Sequence, residues 1–117
     1  MNYEFPLDIG GKKNCMIGGN LATNANGIKF INHNSMNANC VGLKSVLADG
    51  SVLDNMTTLR KDNTGYDLKS LFIGSEGTLG IITECAILCR PMPKNRNVAL
   101  LACKSWSNVL NVLKTAK

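Results

Sequence analysis

The stretch Leu71–Thr83 reads Leu-Phe-Ile-Gly-Ser-Glu-Gly-Thr-Leu-Gly-Ile-Ile-Thr, and its hydrophobic period changes halfway along. On the upstream side, Leu68, Leu71 and Phe72 fall at i, i+3 and i+4, which predicts a short helix over Asp67–Ile73 with Asp67 favourable in its first turn. Gly74 then predicts a left-handed cap. Downstream, Leu79–Cys89 alternates. Ile81, Thr83, Cys85, Ile87 and Cys89 share one face of a strand, and Ile82, Glu84, Ala86 and Leu88 share the other. Pro91 and Pro93 stop it. Between helix and strand, Gly74, Gly77 and Gly80 recur every third residue. Without side chains they permit close approach of a ligand or another backbone, and their amides can line an anion-binding concavity. The spacing is neither a Walker loop nor a dinucleotide fingerprint. A plain turn into a core strand is the competing interpretation.

A second glycine-rich stretch, Ile17–Gly27, reads Ile-Gly-Gly-Asn-Leu-Ala-Thr-Asn-Ala-Asn-Gly. Gly18-Gly19 is expected as a turn leading from an extended entry, Cys15–Ile17, into a helical run over Asn20–Ala25. Free N–H groups and the positive end of a helix dipole converge there, where phosphate or pyrophosphate is a natural guest.

Outward from these stretches, Met1–Lys13 reads as irregular. Ile28–Cys40 reads as an ordered, Asn-rich loop with a helical turn near Ser35, since Asn hydrogen-bonds its own neighbours and tolerates left-handed backbone. Val41–Ala48 and Ser51–Asn55 flank Asp49-Gly50, which predicts a hairpin closed by a type I′ turn. Thr57–Gly65 is a polar loop. Val98–Cys103 is expected as a buried strand, followed by a last helix that Ser105 caps and that Trp106, Val109, Leu110 and Leu113 stripe. Strands that include a hairpin, mixed with helices, make the class α+β.

At 117 residues the chain fits one domain at most. Its net charge of +5 comes from scattered basic residues without aromatic interleaving, unlike a nucleic-acid surface. The five cysteines include no C-x-x-C pair, and the single histidine, His33, has no ligand-spaced neighbour, so no metal site is expected. Cys85, Cys89 and Cys103 sit in apolar runs and read as reduced core residues of an intracellular protein. Met1–Gly11 has no apolar secretory core, and the longest apolar run, Val98–Cys103, is too short to span a bilayer. The carboxylates Glu4, Asp49, Asp54 and Asp62 fall in expected loops and turns, so no catalytic base is assigned.

Pro6–Asp8, Ile17–Ala25, Gly42–Gly50 and Gly65–Thr83, in this order and without evident gaps, resemble the FAD-binding (PCMH-type) domain of vanillyl-alcohol-oxidase-type flavoproteins, the FAD-linked oxidase family. Leu59–Lys69, Leu-Arg-Lys-Asp-Asn-Thr-Gly-Tyr-Asp-Leu-Lys, is most similar to the D-2-hydroxyglutarate dehydrogenases. D-lactate dehydrogenases and glycolate-oxidase flavin subunits share the Gly-Ser-Glu-Gly-Thr-Leu-Gly core.

The resemblance implies the second lobe of a two-lobed flavin domain, with a mixed or antiparallel sheet and flanking helices. It implies a partial domain over residues 1–117, with the other lobe and a substrate domain elsewhere. FAD would lie between the helix near Gly18 and the segment Gly74–Thr83. Gly18, Gly19, Asn20, Thr23, Asn24 and Gly27 would contact its pyrophosphate and flavin portions. Glu76, Gly77, Gly80 and Ile82 would add contacts, chiefly from backbone, with Leu7 and Asp8 toward the ring. The implied parent oxidises a small D-2-hydroxy acid in the mitochondrial matrix and passes electrons to an acceptor such as an electron-transfer flavoprotein. The chain departs from the family pattern at Asn26 and Asn34, where glycines are usual, and at Asn32-His33, where Arg-Tyr is usual. Gly-to-Asn exchanges are mild where φ is positive. A degenerate, non-catalytic remnant or interaction module is the alternative these departures raise.

Overall fold

The computed structural model describes residues 2–116. Its centre is an antiparallel sheet of three strands in the order β3-β2-β4, with β2 spanning Cys40–Val46, β3 Val52–Asn55 and β4 Ile81–Ile87. Helix α1, Ile17–Ala22, packs across β4. Two single helical turns, α2 (Phe30–His33) and α3 (Met36–Asn39), lead into β2, and α4 (Lys69–Phe72) precedes the glycine-rich loop. A separate two-stranded ribbon pairs β1, Tyr3–Glu4, with β5, Arg90–Pro91. The core gathers Leu7, Leu21, Met36, Cys40, Leu43, Phe72 and Ile73, with Ile82, Cys85 and Ile87 packed against it. Helices and antiparallel sheet together make the α+β class expected from the patterning.

Several local expectations change in detail. The hairpin forms in register Val46↔Val52, but its turn is not type I′. Only Gly50 is left-handed, at φ 81°. Ala48–Gly50 bridge Leu47 and Ser51, whose N–H···O bond is 2.9 Å, as in a type I turn followed by a glycine bulge. Asp49 keeps ordinary backbone because its carboxylate accepts the Ser51 N–H at 2.9 Å and the Ser51 hydroxyl at 2.6 Å. Strict alternation along β4 also fails. The register slips between Lys44↔Glu84 and Ser45↔Ile82, leaving Thr83 as the extra residue of a bulge. Ile82 and Cys85 thereby both pack on the core, while Ile81 is exposed. The Asn-rich loop contains two helical turns, and Ser35 caps the second by accepting the Ala38 N–H at 3.2 Å. Gly18 and Gly19 belong to the first turn of α1, not to a turn before it, and α1 ends at Ala22.

Val98–Cys103 is not a strand. Val98 and Leu100 are 99% and 100% exposed, and no described strand lies beside the run to pair with it. Cys89 and Cys103 are likewise exposed, so Cys85 and Cys40 are the cysteines in or beside the core. Helix α5, Trp106–Ala116, forms with the expected Ser105 cap, whose hydroxyl accepts the Asn108 N–H at 3.4 Å, yet its apolar stripe is uncovered. The radius of gyration is 18.0 Å, against about 13 Å for a compact domain of this length. Among the described residues, no helix is long and apolar enough to cross a membrane, and no cluster could hold a metal ion.

Candidate functional site

Backbone hydrogen bonds join the two glycine-rich stretches. The last carbonyls of a helix lack intrahelical partners. In α1 the N–H groups of Thr23, Ala25 and Asn24 serve the carbonyls of Gly19, Asn20 and Leu21, and the other stretch adds the rest: the Gly74 N–H also reaches the Leu21 carbonyl at 3.1 Å, and the Glu76 N–H reaches that of Ala22 at 2.9 Å. Thr23 closes the same end, its hydroxyl donating to the Gly19 carbonyl at 2.9 Å. The loop can take this path because Ser75–Thr78 form a tight turn, with Thr78 N–H to Ser75 O at 3.0 Å. Glu76 and Gly77 sit at its centre with φ 51° and 83°. Left-handed backbone costs a glutamate about 1–2 kcal/mol, so the docking on α1 holds Glu76 against its local preference.

Individual residues divide by role. A Cβ on Gly27 would collide with the Asp8 backbone, and one on Gly80 would lie 2.6 Å from the Val46 carbonyl. Gly27 and Gly80 are therefore glycines so that chain segments can cross. Asn24, left-handed at φ 48°, lends its Oδ1 to the Asn37 N–H at 3.2 Å, and its Cβ borders Gly74. Gly19 and Gly77, by contrast, have open space where a Cβ would stand. No side chain caps the N-terminus of α1 and no acidic residue occupies its first turn, so its free N–H groups are left for solvent or a ligand.

Leu7, Asp8 and Asn20 meet in one cleft of about 350 Å³ beside that N-terminus. Glu4 on the wall pairs with Lys29 at 3.4 Å and with Arg96, and Asp8 pairs with Lys12. The Lys12 ammonium, through its hydrogen bond, holds the Asp8 carboxyl below the usual carboxylate range. Three cations face two carboxylates, a surplus suited to an anionic guest. Glu4 and Asp54 stand on strands instead of in loops, and both are ion-paired. Asn34 has the left-handed φ expected of a glycine replacement, 63°, whereas Asn26 does not and is exposed. Sequence reasoning missed the Leu21 and Ala22 carbonyls and the cluster of Glu4, Lys29 and Arg96. Nothing in local pattern marks a helix carbonyl as a docking point or joins residues so far apart in the chain.

Residues 1–55 match the family model of an FAD binding domain. Over 116 residues the chain is 53% identical to the mitochondrial D-2-hydroxyglutarate dehydrogenase of Rattus norvegicus, covering 99% of this chain and 22% of that protein. The Bos taurus protein of the same name is 55% identical over 98% of this chain and 21% of its own length. The solved structure of alkyldihydroxyacetonephosphate synthase superposes with a TM-score of 0.67 at 26% identity, over 80% of this chain and 18% of that one.

The chain is thus similar to an FAD binding domain at its start and, over nearly its whole length, to proteins named D-2-hydroxyglutarate dehydrogenase.

It spans about a fifth of the length of these relatives. The model matched by residues 1–55 is that of an FAD binding domain, and the residues present fit FAD. Open space at Gly19 and Gly77 clears an approach to backbone amides, the uncapped end of α1 offers donors to a diphosphate, and the cleft with Leu7 offers an apolar wall.

Proposed function

We propose that this chain supplies part of the flavin-binding domain of an FAD-dependent dehydrogenase that oxidises D-2-hydroxyglutarate to 2-oxoglutarate. The observation that carries the reading is the backbone docking of Gly74 and Glu76 onto the end of α1, which builds one continuous wall from two glycine-rich stretches. Identity above 50% to dehydrogenases named for this substrate supports the choice among 2-hydroxy acids. Gly18, Gly19 and Asn20 bind the cofactor's anionic portion, while Leu7 and Asp8 flank its ring. Glu76, Gly77 and Ile82 complete the far side. Thr23, Asn24, Gly27 and Gly80 hold these groups in place, and Asn24 retains its amide nitrogen for the cofactor. Bound FAD supplies the hydride acceptor; the residues of this chain bind, orient and screen it from water.

On this reading residues 1–117 are a partial domain. Substrate-binding groups and the other flavin lobe lie in the remainder of the parent, which works in the mitochondrial matrix and hands electrons to an acceptor such as an electron-transfer flavoprotein. A second reading, oxidation of D-lactate, is favoured by 46% identity to a putative mitochondrial D-lactate dehydrogenase of Schizosaccharomyces pombe. The test is to purify the protein carrying this chain from its source, record flavin absorbance, and assay D-2-hydroxyglutarate, D-lactate and glycolate side by side. Flavin with preferred turnover of D-2-hydroxyglutarate is expected. A protein that carries no flavin and takes up none when FAD is added overturns the proposal.

A further inference from the structure

The motif stretch Leu59–Lys69 takes no part in the flavin-facing wall, yet it frames a cleft of about 510 Å³ at the Cys40–Leu88 end of the sheet. The loop starts where Gly42 lets the Thr57 backbone lie against β2; a Cβ there would stand 2.5 Å from the Thr57 nitrogen. It ends in α4. Along the rim the acidic groups are already engaged. Asp62 accepts the Thr64 N–H at 3.0 Å and the Thr64 hydroxyl, while Asp67 is shared by the Lys69 ammonium at 2.7 Å and the Ser70 hydroxyl at 2.7 Å. Arg60 and Lys61 form no ion pair among the described residues. Both rim carboxylates thus already accept hydrogen bonds, while the Arg60 and Lys61 cations are without an ion pair among the described residues. A solvated surface accounts for either cation alone but not for their placement, as unpaired donors, around a concavity of ligand size.

We propose that this cleft binds a small, multiply charged anion bearing carboxylate or phosphate groups, held by Arg60 and Lys61. The guanidinium suits a planar two-oxygen group and the ammonium a second charge. Asn37 connects the cleft to the flavin-facing wall. It lines the cleft, its Oδ1 receives the Ser70 hydroxyl at 3.2 Å, and its N–H holds Asn24 beside Gly74. Occupancy is therefore felt at Asn24 and Gly74.

The cleft is independent of the flavin assignment, so the test uses the full 117-residue chain without FAD. Isotope-labelled chain is titrated, in separate arms, with 2-oxoglutarate, citrate and inorganic phosphate while amide resonances are followed. Saturable shifts over residues 60–67, extending to Asn24 and Gly74, are expected in at least one arm, and the arm that saturates first tells carboxylate from phosphate. Arg60→Gln with Lys61→Gln should weaken that arm about tenfold or more, as loss of charge-assisted hydrogen bonds requires, with the melting temperature unchanged. Lys94→Gln should have no effect. The proposal is overturned if no arm saturates by about 10 mM, or if the double variant binds as well as the unaltered chain.

Discussion

Gly19→Ala separates the fold from the site, because the two respond with opposite sign. Gly19 lies in the first turn of α1, and an added methyl meets nothing within 4 Å. Alanine restricts the unfolded chain and favours helix, so the fold should gain about 0.5–1 kcal/mol. For a domain of this size that is a rise of roughly 2–6 °C in melting temperature, readable by circular dichroism. The same methyl stands where the proposed FAD must approach the free N–H groups of α1. Displacing the diphosphate from one charge-assisted hydrogen bond costs about 1.5–3 kcal/mol, a loss of roughly tenfold to a hundredfold in affinity. Flavin-fluorescence titration of the protein that carries the chain measures this. Gly27→Ala is the control with the reverse logic. Its Cβ would drive into the Asp8 backbone, so it should lower stability by about 1–3 kcal/mol. A Gly19→Ala protein that melts higher and binds FAD unchanged would refute the assignment of α1 as the anion-facing wall. One that melts lower would refute the helix argument itself.

Asn34→Gly should raise the melting temperature. Asn34 holds φ 63° and ψ −168°, a region costing non-glycine residues about 1–3 kcal/mol, offset in part by about 0.5–1 kcal/mol of glycine chain entropy. In the native chain, an uncharged alkylating agent followed by mass spectrometry should modify Cys15, Cys89 and Cys103 rapidly. It should spare Cys40, whose pKa burial pushes up to about 11, and Cys85, raised in the same direction, until the chain unfolds. Acid should weaken the sheet. The Met56 N–H, and then Lys44, hold Asp54 below its ordinary value, so its contribution is complete above the unfolded carboxylate pKa and is lost as pH falls through the depressed one. Because Asp54 is exposed, added salt should shrink the effect in melting curves recorded across that range.

Signals written within a few residues were legible. A helical turn forms near Ser35, Ser105 caps the last helix, Gly74 takes the left-handed conformation, and Asp49-Gly50 closes a hairpin. What escaped depends on partners far along the chain. The bulge at Thr83 arises from pairing with β2, so no pattern inside Leu79–Cys89 could show that Ile82 and Cys85 share the core side. The roles of Gly27 and Gly80 were hidden for the same reason. Glycine in sequence says only that a side chain is unwelcome; whether a cofactor or another backbone fills the space depends on the crossing of distant segments. Three-dimensional contacts sort Gly19 and Gly77 from Gly27 and Gly80, which sequence left together.

The same division explains the last quarter of the chain. Helix α5 needs only its cap and its own backbone hydrogen bonds to form, and it does so with Trp106, Leu110 and Leu113 turned to solvent. Val98–Cys103 has the composition of a strand, but a strand's hydrogen bonds are made entirely with a neighbour, and no described neighbour is present. Burying each such side chain is worth about 1.5–3 kcal/mol, so this surface strongly favours association with apolar cover. At α1 the logic runs the other way. Its carbonyl end is satisfied within this same chain, by Thr23, Asn24 and Ala25 and then by Gly74 and Glu76, while its amide end keeps polar donors free beside a cleft with surplus positive charge. An uncovered apolar stripe calls for protein, and an uncovered row of amides calls for an anion. The chain presents both, at different places, which is the arrangement that the proposed reading as one flavin lobe of a larger protein requires.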